Sequence, residues 1–251
     1  MKAVIKAALI TGASSGIGAA TAIEYGKNGY FVYLMGRNRE NLEQVAMRCR
    51  SGASIVSCDV NDDAALNKRL QEMLTAKIHK IEVVVNNAGI FKNQTTEEST
   101  DDVWMQQFQT NLFAPVKIVR AFFPYFKAQG GGSFVNIGST LAAKPTANTA
   151  AYSASKAALM NWTQSLALEG GAFNIRANIV NPGIVDTPIH TFHALPEVQK
   201  SEALSSMAHL QPLGRIGTPE DVAKAAYFLG SPLSAWTTGA ILSVDGGINI
   251  T

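Results

Sequence analysis

The sequence predicts a single α/β domain built on a doubly wound parallel sheet. Short apolar runs alternate with longer helical patterns along almost the whole chain, and the runs are continuous, as in strands covered on both faces. A glycine-rich turn joins the first run to the first helical pattern. No linker, repeat or low-complexity segment divides the 251 residues. We therefore expect one domain over residues 1–251, with about seven strands flanked by helices.

The elements are predicted in strict alternation. The expected strands lie at residues 7–11, 31–35, 53–58, 82–86, 133–137, 175–180 and 240–244. The expected helices lie at residues 16–28, 39–50, 62–77, 101–126, 151–171 and 219–229, the fourth bent at Pro115. The one long stretch outside this rhythm runs from about 187 to 217. Its length and its three prolines favour a mobile lid over cofactor and substrate.

Composition excludes several other classes of protein. The chain is 47% hydrophobic and 16% charged, which is a globular balance, and its formal charge of +2 comes without a basic stripe for nucleic acid. Residues 7–23 are apolar and uncharged, but their glycines and hydroxyls suit neither a membrane span nor a signal segment. Cys49 and Cys58 form no disulfide framework or metal-ligand cluster. We expect free buried thiols, no metal and a cytoplasmic protein.

The turn TGASSGIG at residues 11–18 is the first candidate binding site. Glycines at positions 12, 16 and 18 would let backbone N–H groups approach a pyrophosphate at the positive end of the first helix. A tight strand-to-helix turn without a ligand has the same pattern, so the glycines alone leave both interpretations open.

Five motifs in order resemble those of the short-chain dehydrogenase/reductase family over essentially the whole chain. They are the Gly-x-x-x-Gly-x-Gly turn, DV at 59–60, NNAG at 86–89, NPGIVDTP at 181–188 and VDGG at 244–247. The resemblance implies a Rossmann fold and a nicotinamide cofactor. The implied cofactor contacts are Gly12, Ser14, Ser15, Gly16, Ile17, Gly18, Arg37, Asp59, Val60, Asn87, Ala88, Gly89, Tyr152, Lys156, Pro182, Gly183, Val185 and Thr187.

The end of the second strand indicates which cofactor is used. A carboxylate there would bind the ribose hydroxyls of NAD and repel the 2′-phosphate of NADP. The chain instead has Gly36 followed by Arg37, and a guanidinium suits a phosphate. Ser14 offers a further hydroxyl. Ser15 stands where many NADP-preferring relatives have a basic residue, so Arg37 as an idle surface charge is the alternative. We predict NADP(H).

Tyr152 and Lys156 are the candidate catalytic pair. They lie four residues apart in AYSASKAAL, on one helix face, with small residues between them. The resemblance implies that Tyr152 is the acid/base, that Lys156 lowers its pKa and holds the nicotinamide ribose, and that Ser139 binds the substrate oxygen. It also implies that Asn111 orders a water connecting Lys156 to solvent.

These residues predict an NADP(H)-dependent oxidoreductase that interconverts a ketone and a secondary alcohol. The segment PLGRIGTPEDVA at 212–223 is most similar to 3-oxoacyl-acyl-carrier-protein reductases, which remain an alternative, although Phe173 stands where a carrier-binding arginine is expected. A NAD-dependent sugar or steroid alcohol dehydrogenase is another alternative. A non-catalytic dinucleotide sensor and an extended-family epimerase or dehydratase are disfavoured, because the catalytic pair is present and a second domain has no room.

The predicted lid suggests a moderately apolar pocket for a small carbonyl or alcohol substrate. It contains Ile189, Phe192, His193 and Leu195, without an arginine cluster for an anion. His190 and His193 could contact substrate or simply face solvent. The family resemblance further implies a homotetramer, and the apolar content of residues 113–126 and 154–168 permits one.

Overall fold

The computed structural model describes residues 5–76, 78–190 and 195–251. Seven strands form one sheet in the order β3-β2-β1-β4-β5-β6-β7, and all six pairings are parallel. The strands are β1 Lys6–Thr11, β2 Phe31–Gly36, β3 Ala53–Ser57, β4 Lys80–Asn86, β5 Gly132–Ile137, β6 Ile175–Pro182 and β7 Ile241–Val244. The helices are α1 Gly16–Lys27, α2 Arg39–Arg48, α3 Asp63–Ala76, α4 Asp101–Phe108, α5 Ala114–Gln129, α6 Ala150–Gly171, α7 Glu197–Ala208 and α8 Pro219–Gly230. The predicted α/β class and doubly wound sheet are confirmed.

Two apolar cores cover the two faces of the sheet. Leu9 and Val84 belong to the core on one side, and their chain neighbours Ile10 and Val85 belong to the core on the other side. Successive strand residues point to opposite faces, so most positions along each central strand must be apolar. This double burial explains why the strands are recognisable as uninterrupted apolar runs.

The strand order places a crevice beside the glycine turn. The chain winds outward from β1 through β2 to β3 on one side, and returns through β4 on the other side. The connections after β1 and β4 therefore diverge at their carboxyl ends, where ligands bind in such sheets. Thr11, Asn86, Ile137 and Pro182, at the ends of β1, β4, β5 and β6, bring the predicted site segments to this edge.

The helix expected over residues 101–126 is interrupted. A π-helical turn, Gln109–Phe113, separates α4 from α5. Pro115 lies in the first turn of α5, where its missing N–H costs no hydrogen bond, so the interruption precedes the proline rather than resulting from a bend at it. The π turn contains Asn111, and such turns are frequent at functional sites.

Part of the expected lid is helical. Helix α7 lies between residues 187 and 217 and buries none of its residues, so it lacks the one-sided apolar pattern that would predict it. Phe192 and His193, two of the predicted lid residues, lie outside the described residues. None of the helices in the described ranges combines the length and apolarity that a membrane crossing requires.

Candidate active site

The glycine turn is shaped to receive a ligand. Gly12 and Gly16 have φ angles of 64° and 51°, in the left-handed region that favours glycine. A Cβ at Gly18 would lie 2.2 Å from the carbonyl oxygen of Gly12. Ser15 precedes α1, and its side chain does not cap the helix, which leaves the first N–H groups available. These features fit a dinucleotide pyrophosphate at the start of α1.

Thr11 and Asn87 lock this turn to the end of β4. The Thr11 hydroxyl accepts hydrogen bonds from the backbone N–H groups of Asn87 and Ala88, both at 3.0 Å. The Asn87 side chain donates to the carbonyl oxygens of Thr11 at 2.9 Å and Gly12 at 3.3 Å. The side chain of the predicted cofactor contact Asn87 therefore positions the glycine turn. Thr11 opens the quoted motif, but the sequence did not indicate its role.

The segment after β6 closes against the same turn. A Cβ at Gly16 would lie 3.2 Å from the Thr187 methyl carbon, so these two predicted cofactor contacts meet. A Cβ at Gly183 would lie 2.8 Å from the Cα of Asp245, which explains why glycine stands there. Val185 is 3% exposed and packs into the core, so only its backbone faces toward a ligand site.

The predicted adenosine end is open and polar. Arg37 and Asp59 form a loose ion pair at 3.8 Å, with the Arg37 side chain 76% exposed. A surface cavity of about 480 Å³ between the glycine turn and α2 has a mixed lining: polar Ser14, Ser15, Asn41, Gln44 and Arg48, which the sequence had only partly indicated, and apolar Ala19, Val45 and Met47. Val60 is 6% exposed and belongs to the core. In the sequence, Asn41 and Arg48 could have been found from their position on α2, the helix that follows Arg37.

Ser139, Tyr152 and Lys156 meet at the carboxyl edge of β5. Ser139 follows that strand, and its hydroxyl accepts from the Leu141 N–H at 3.1 Å and lies close enough to Tyr152 to lower its pKa. The Lys156 ammonium donates to the carbonyl oxygen of Ile137 at 2.8 Å and lies 5.8 Å from the centre of the Tyr152 ring. The three predicted side chains are at most 8% exposed.

Burial sets the protonation of this cluster. It raises the pKa of Tyr152 to about 12, against a smaller lowering by the Ser139 hydrogen bond. It also lowers the pKa of Lys156 to about 8. Desolvation is thus the largest influence on the Tyr152 pKa, and the lowering expected from Lys156 stays a prediction. The phenol is protonated at neutral pH, which is the state that can donate a proton to a carbonyl oxygen.

Asn111 fastens the catalytic helix to the chain after NNAG. Its side-chain amide donates to the carbonyl oxygen of Ile90 and to the Ser155 hydroxyl, both at 3.0 Å, and its oxygen accepts from the Ile90 N–H at 2.9 Å. Both amide hydrogens are used within the protein, so the side chain is a positioning group. The predicted water relay through Asn111 stays a prediction.

Replacing Lys156 tests the cost of burying its charge. Within the described ranges no carboxylate pairs with Lys156, and burial lowers its pKa from 10.5 to about 8. Each pKa unit corresponds to about 1.4 kcal/mol, so Lys156→Met should stabilise the protein without cofactor by about 1–2 kcal/mol after the lost hydrogen bond is counted.

The size of this stabilisation depends on pH. Below pH 8 the ammonium is charged in both states and the full cost is present, whereas above 10.5 the amine is neutral in both, so the gain should shrink across that window. Denaturant unfolding measures it, with Lys224→Met on the exposed face of α8 as control. A loss of stability at neutral pH in Lys156→Met would contradict this account.

Known proteins share this arrangement across the whole chain. Residues 12–249 match a family model described as enoyl-(acyl carrier protein) reductase. A 3-oxoacyl-[acyl-carrier-protein] reductase of Chlamydia muridarum is 35% identical and covers 97% of both chains. The L-sorbose reductase of Gluconobacter frateurii, solved with NADPH and L-sorbose, has a TM-score of 0.91 and 30% identity over 100% of both chains.

A second relative was solved with NADH rather than NADPH. The 3-ketoacyl-(acyl-carrier-protein) reductase of Brucella melitensis, complexed with NADH, has a TM-score of 0.87 and 32% identity over 97% of this chain and 98% of its own. With the dinucleotide cradle and the Ser139–Tyr152–Lys156 cluster, these matches define an oxidoreductase that uses a nicotinamide cofactor. The chain belongs to the short-chain dehydrogenase/reductase family, as the motifs predicted.

Proposed function

We propose that the protein reduces free ketones to secondary alcohols with NADPH. The observation that carries this proposal is the buried cluster of Ser139, Tyr152 and Lys156 at the mouth of the dinucleotide cradle. The bound nicotinamide would supply a hydride to the carbonyl carbon. Tyr152 donates its proton to the oxygen and Ser139 hydrogen-bonds that oxygen as charge develops on it. Loss of NADPH absorbance when a ketone is added tests turnover directly.

The side chains at the adenosine end support NADPH over NADH. Gly36 places no carboxylate near the ribose, and the Arg37 guanidinium is exposed and only loosely held by Asp59 at 3.8 Å. A phosphate would be a stronger partner for Arg37 than this solvated carboxylate. Ser14, Asn41 and Arg48 in the adjoining cavity add donors of the same kind. One of the two relatives was solved with NADPH and the other with NADH, so the cofactor preference of this protein is inferred from its own residues.

The surface beside α6 supports a free substrate rather than one attached to a carrier protein. Phe173 packs edge-on against Phe123 with ring centres 6.2 Å apart, and the ammonium of Lys127 lies 3.9 Å from the centre of the Phe173 ring. The residue at the position of the expected arginine, Phe173, is therefore apolar, and its ring also contacts the ammonium of Lys127. An acidic carrier protein would find little free positive charge at these residues.

We also propose that helix α7 and the described residues on either side of it, 195–210, are the moving part of the lid. The remainder of the expected lid is anchored: Gly217 exchanges backbone hydrogen bonds with Ile184 and Asp186 at 3.0 Å, and the Gln211 side chain is 2% exposed. Helix α7 has no such anchoring, since none of its residues is buried. Segments with little burial open most readily.

Limited proteolysis with trypsin tests the lid. Without cofactor, trypsin should cut first after Lys200 in α7, and NADPH should slow that cleavage by ordering the segment. Arg215 is the internal control, because its ion pair with Asp221 at 2.7 Å and the anchored backbone around it should protect it in both conditions. Equal cleavage at Lys200 with and without NADPH, or earlier cleavage at Arg215, would contradict the lid.

Two features, one on the surface and one in the core, support our proposals for assembly and compartment. Trp236 is fully exposed and Leu233 is 69% exposed, beside the edge strand β7, where Ile241 is 42% exposed. An apolar patch at an open sheet edge favours burial against a second copy, which supports the homotetramer.

Cys49 and Cys58 are unpaired and buried, which suits the reducing cytoplasm.

A further inference from the structure

Phe91 lies beside the reacting groups, although none of the motifs contains it. A Cβ at Gly89 would lie 3.6 Å from the Lys156 ammonium nitrogen, so the chain after NNAG passes directly over the catalytic lysine. Asn111 then holds both backbone groups of Ile90. The next residue, Phe91, packs edge-on against the Tyr152 ring with centroids 4.8 Å apart and an interplanar angle of 81°.

The other side of Phe91 faces the beginning of the lid. Its ring centre lies 6.5 Å from that of His190, three residues after Thr187, at an interplanar angle of 65°. Two chain segments thus lead from predicted nicotinamide contacts: the one after Gly89 brings Phe91 against Tyr152, and the one after Thr187 brings His190 near Phe91. Phe91 is only partly buried, whereas Tyr152 is 8% exposed. Part of the apolar Phe91 side chain is therefore accessible next to the buried phenol.

We propose that Phe91 is a specificity-determining residue, forming with Tyr152 and His190 an aromatic wall that selects ketones with a flat apolar substituent. This inference rests on the proposed ketone reduction. A substrate oxygen that reaches Tyr152 brings its nearer substituent against the Phe91 ring. An aryl group gains edge-on or offset contact there, whereas a puckered ring loses that contact and a hydroxylated chain leaves its hydroxyls without partners.

A purely structural role for Phe91 predicts something different. If the ring only stabilises the loop after β4, its removal lowers the activity towards all ketones by one common factor. A wall that contacts substrate changes the ratio between ketones, and it does so mainly through KM, because the contact is made in both ground and transition states. The ratio cancels differences in intrinsic reactivity and in the fraction of folded enzyme.

The experiment compares acetophenone with cyclohexyl methyl ketone, which differ in the flatness of one ring. We expect the kcat/KM ratio of acetophenone to cyclohexyl methyl ketone to fall about 2- to 10-fold in Phe91→Ala and in Phe91→Leu, since the aromatic contact is lost in both. Phe123→Ala, which removes a partly buried ring from the edge-on pair on α5, should leave the ratio unchanged.

Two outcomes separate the inference from the function on which it rests. Turnover of both ketones with the same ratio in Phe91→Ala as in the parent would overturn the aromatic wall alone, as would a parent-like ratio in Phe91→Leu. Failure of the parent to reduce any ketone with NADPH would overturn the proposed function and the inference with it.

Discussion

Tyr152→Phe is expected to lower kcat for ketone reduction by about 10²–10⁴-fold, the usual contribution of a positioned general acid. Tyr152 is 8% exposed, so no solvent molecule can easily take the place of its hydroxyl beside the substrate oxygen. Affinity for NADPH should change little, because the hydroxyl acts on the charge that develops in the transition state. Steady-state kinetics and cofactor titration by fluorescence measure the two effects.

A second tyrosine provides a matched control. Tyr25 is also fully buried, and its hydroxyl donates to the Ala226 carbonyl oxygen at 3.1 Å, between α1 and α8. Tyr25→Phe should cost about 1 kcal/mol of stability and leave kcat unchanged. If Tyr152→Phe keeps kcat within tenfold of the parent, Tyr152 is not the acid in this reaction.

Gly36→Asp is expected to reverse the cofactor preference. A carboxylate at the end of β2 would repel the 2′-phosphate of NADPH and accept the ribose hydroxyls of NADH. The side chain has room, because a Cβ there would lie 3.4 Å from a Leu42 methyl carbon and 3.6 Å from the Ser14 hydroxyl oxygen. We expect kcat/KM with NADPH to fall by on the order of 100-fold and kcat/KM with NADH to rise.

Arg37→Ala tests how much the attraction between Arg37 and the 2′-phosphate contributes to the preference for NADPH. A hydrogen bond to a charged group contributes about 1.5–3 kcal/mol, so the loss with NADPH should be about 10- to 100-fold, with NADH nearly unaffected. Arg39→Ala is the control, since that guanidinium is occupied by Glu43 at 2.9 Å on α2. If the parent uses NADH as well as NADPH, or if Arg37→Ala changes neither, then Arg37 is only a solvated charge.

The elements that are buried on both faces were predictable from the sequence, and the elements that bury little surface were less so. Strands covered on both faces are largely apolar, so β1 to β6 were recognisable as runs, whereas β7 lies at the sheet edge and is less buried. Helix α7 was not, since it buries no face and has no periodic pattern. The π turn at Gln109–Phe113 also escaped prediction, because a shift from i+4 to i+5 hydrogen bonds leaves no mark on hydrophobic spacing.

The site was predictable as a set of residues and less so as an electrostatic environment. The order of the motifs identified Ser139, Tyr152 and Lys156, and the structure brings them together. The resemblance implied a lowering of the Tyr152 pKa by Lys156, which stays a prediction, whereas the raising of this pKa to about 12 by burial was not anticipated. The raised pKa depends on how many groups surround the phenol in space, Phe91 among them, and sequence spacing does not report this.

The central claim is direct hydride transfer to a carbonyl carbon beside Tyr152. The measurement that tests it most directly uses NADPH carrying deuterium at the transferable position of the nicotinamide, with acetophenone as substrate. The account predicts that the alcohol product carries one deuterium on its carbinol carbon, that none is lost to water, and that Tyr152→Phe forms this product at least about 100-fold more slowly. An alcohol without deuterium, or labelled alcohol formed at the parent rate by Tyr152→Phe, would contradict it.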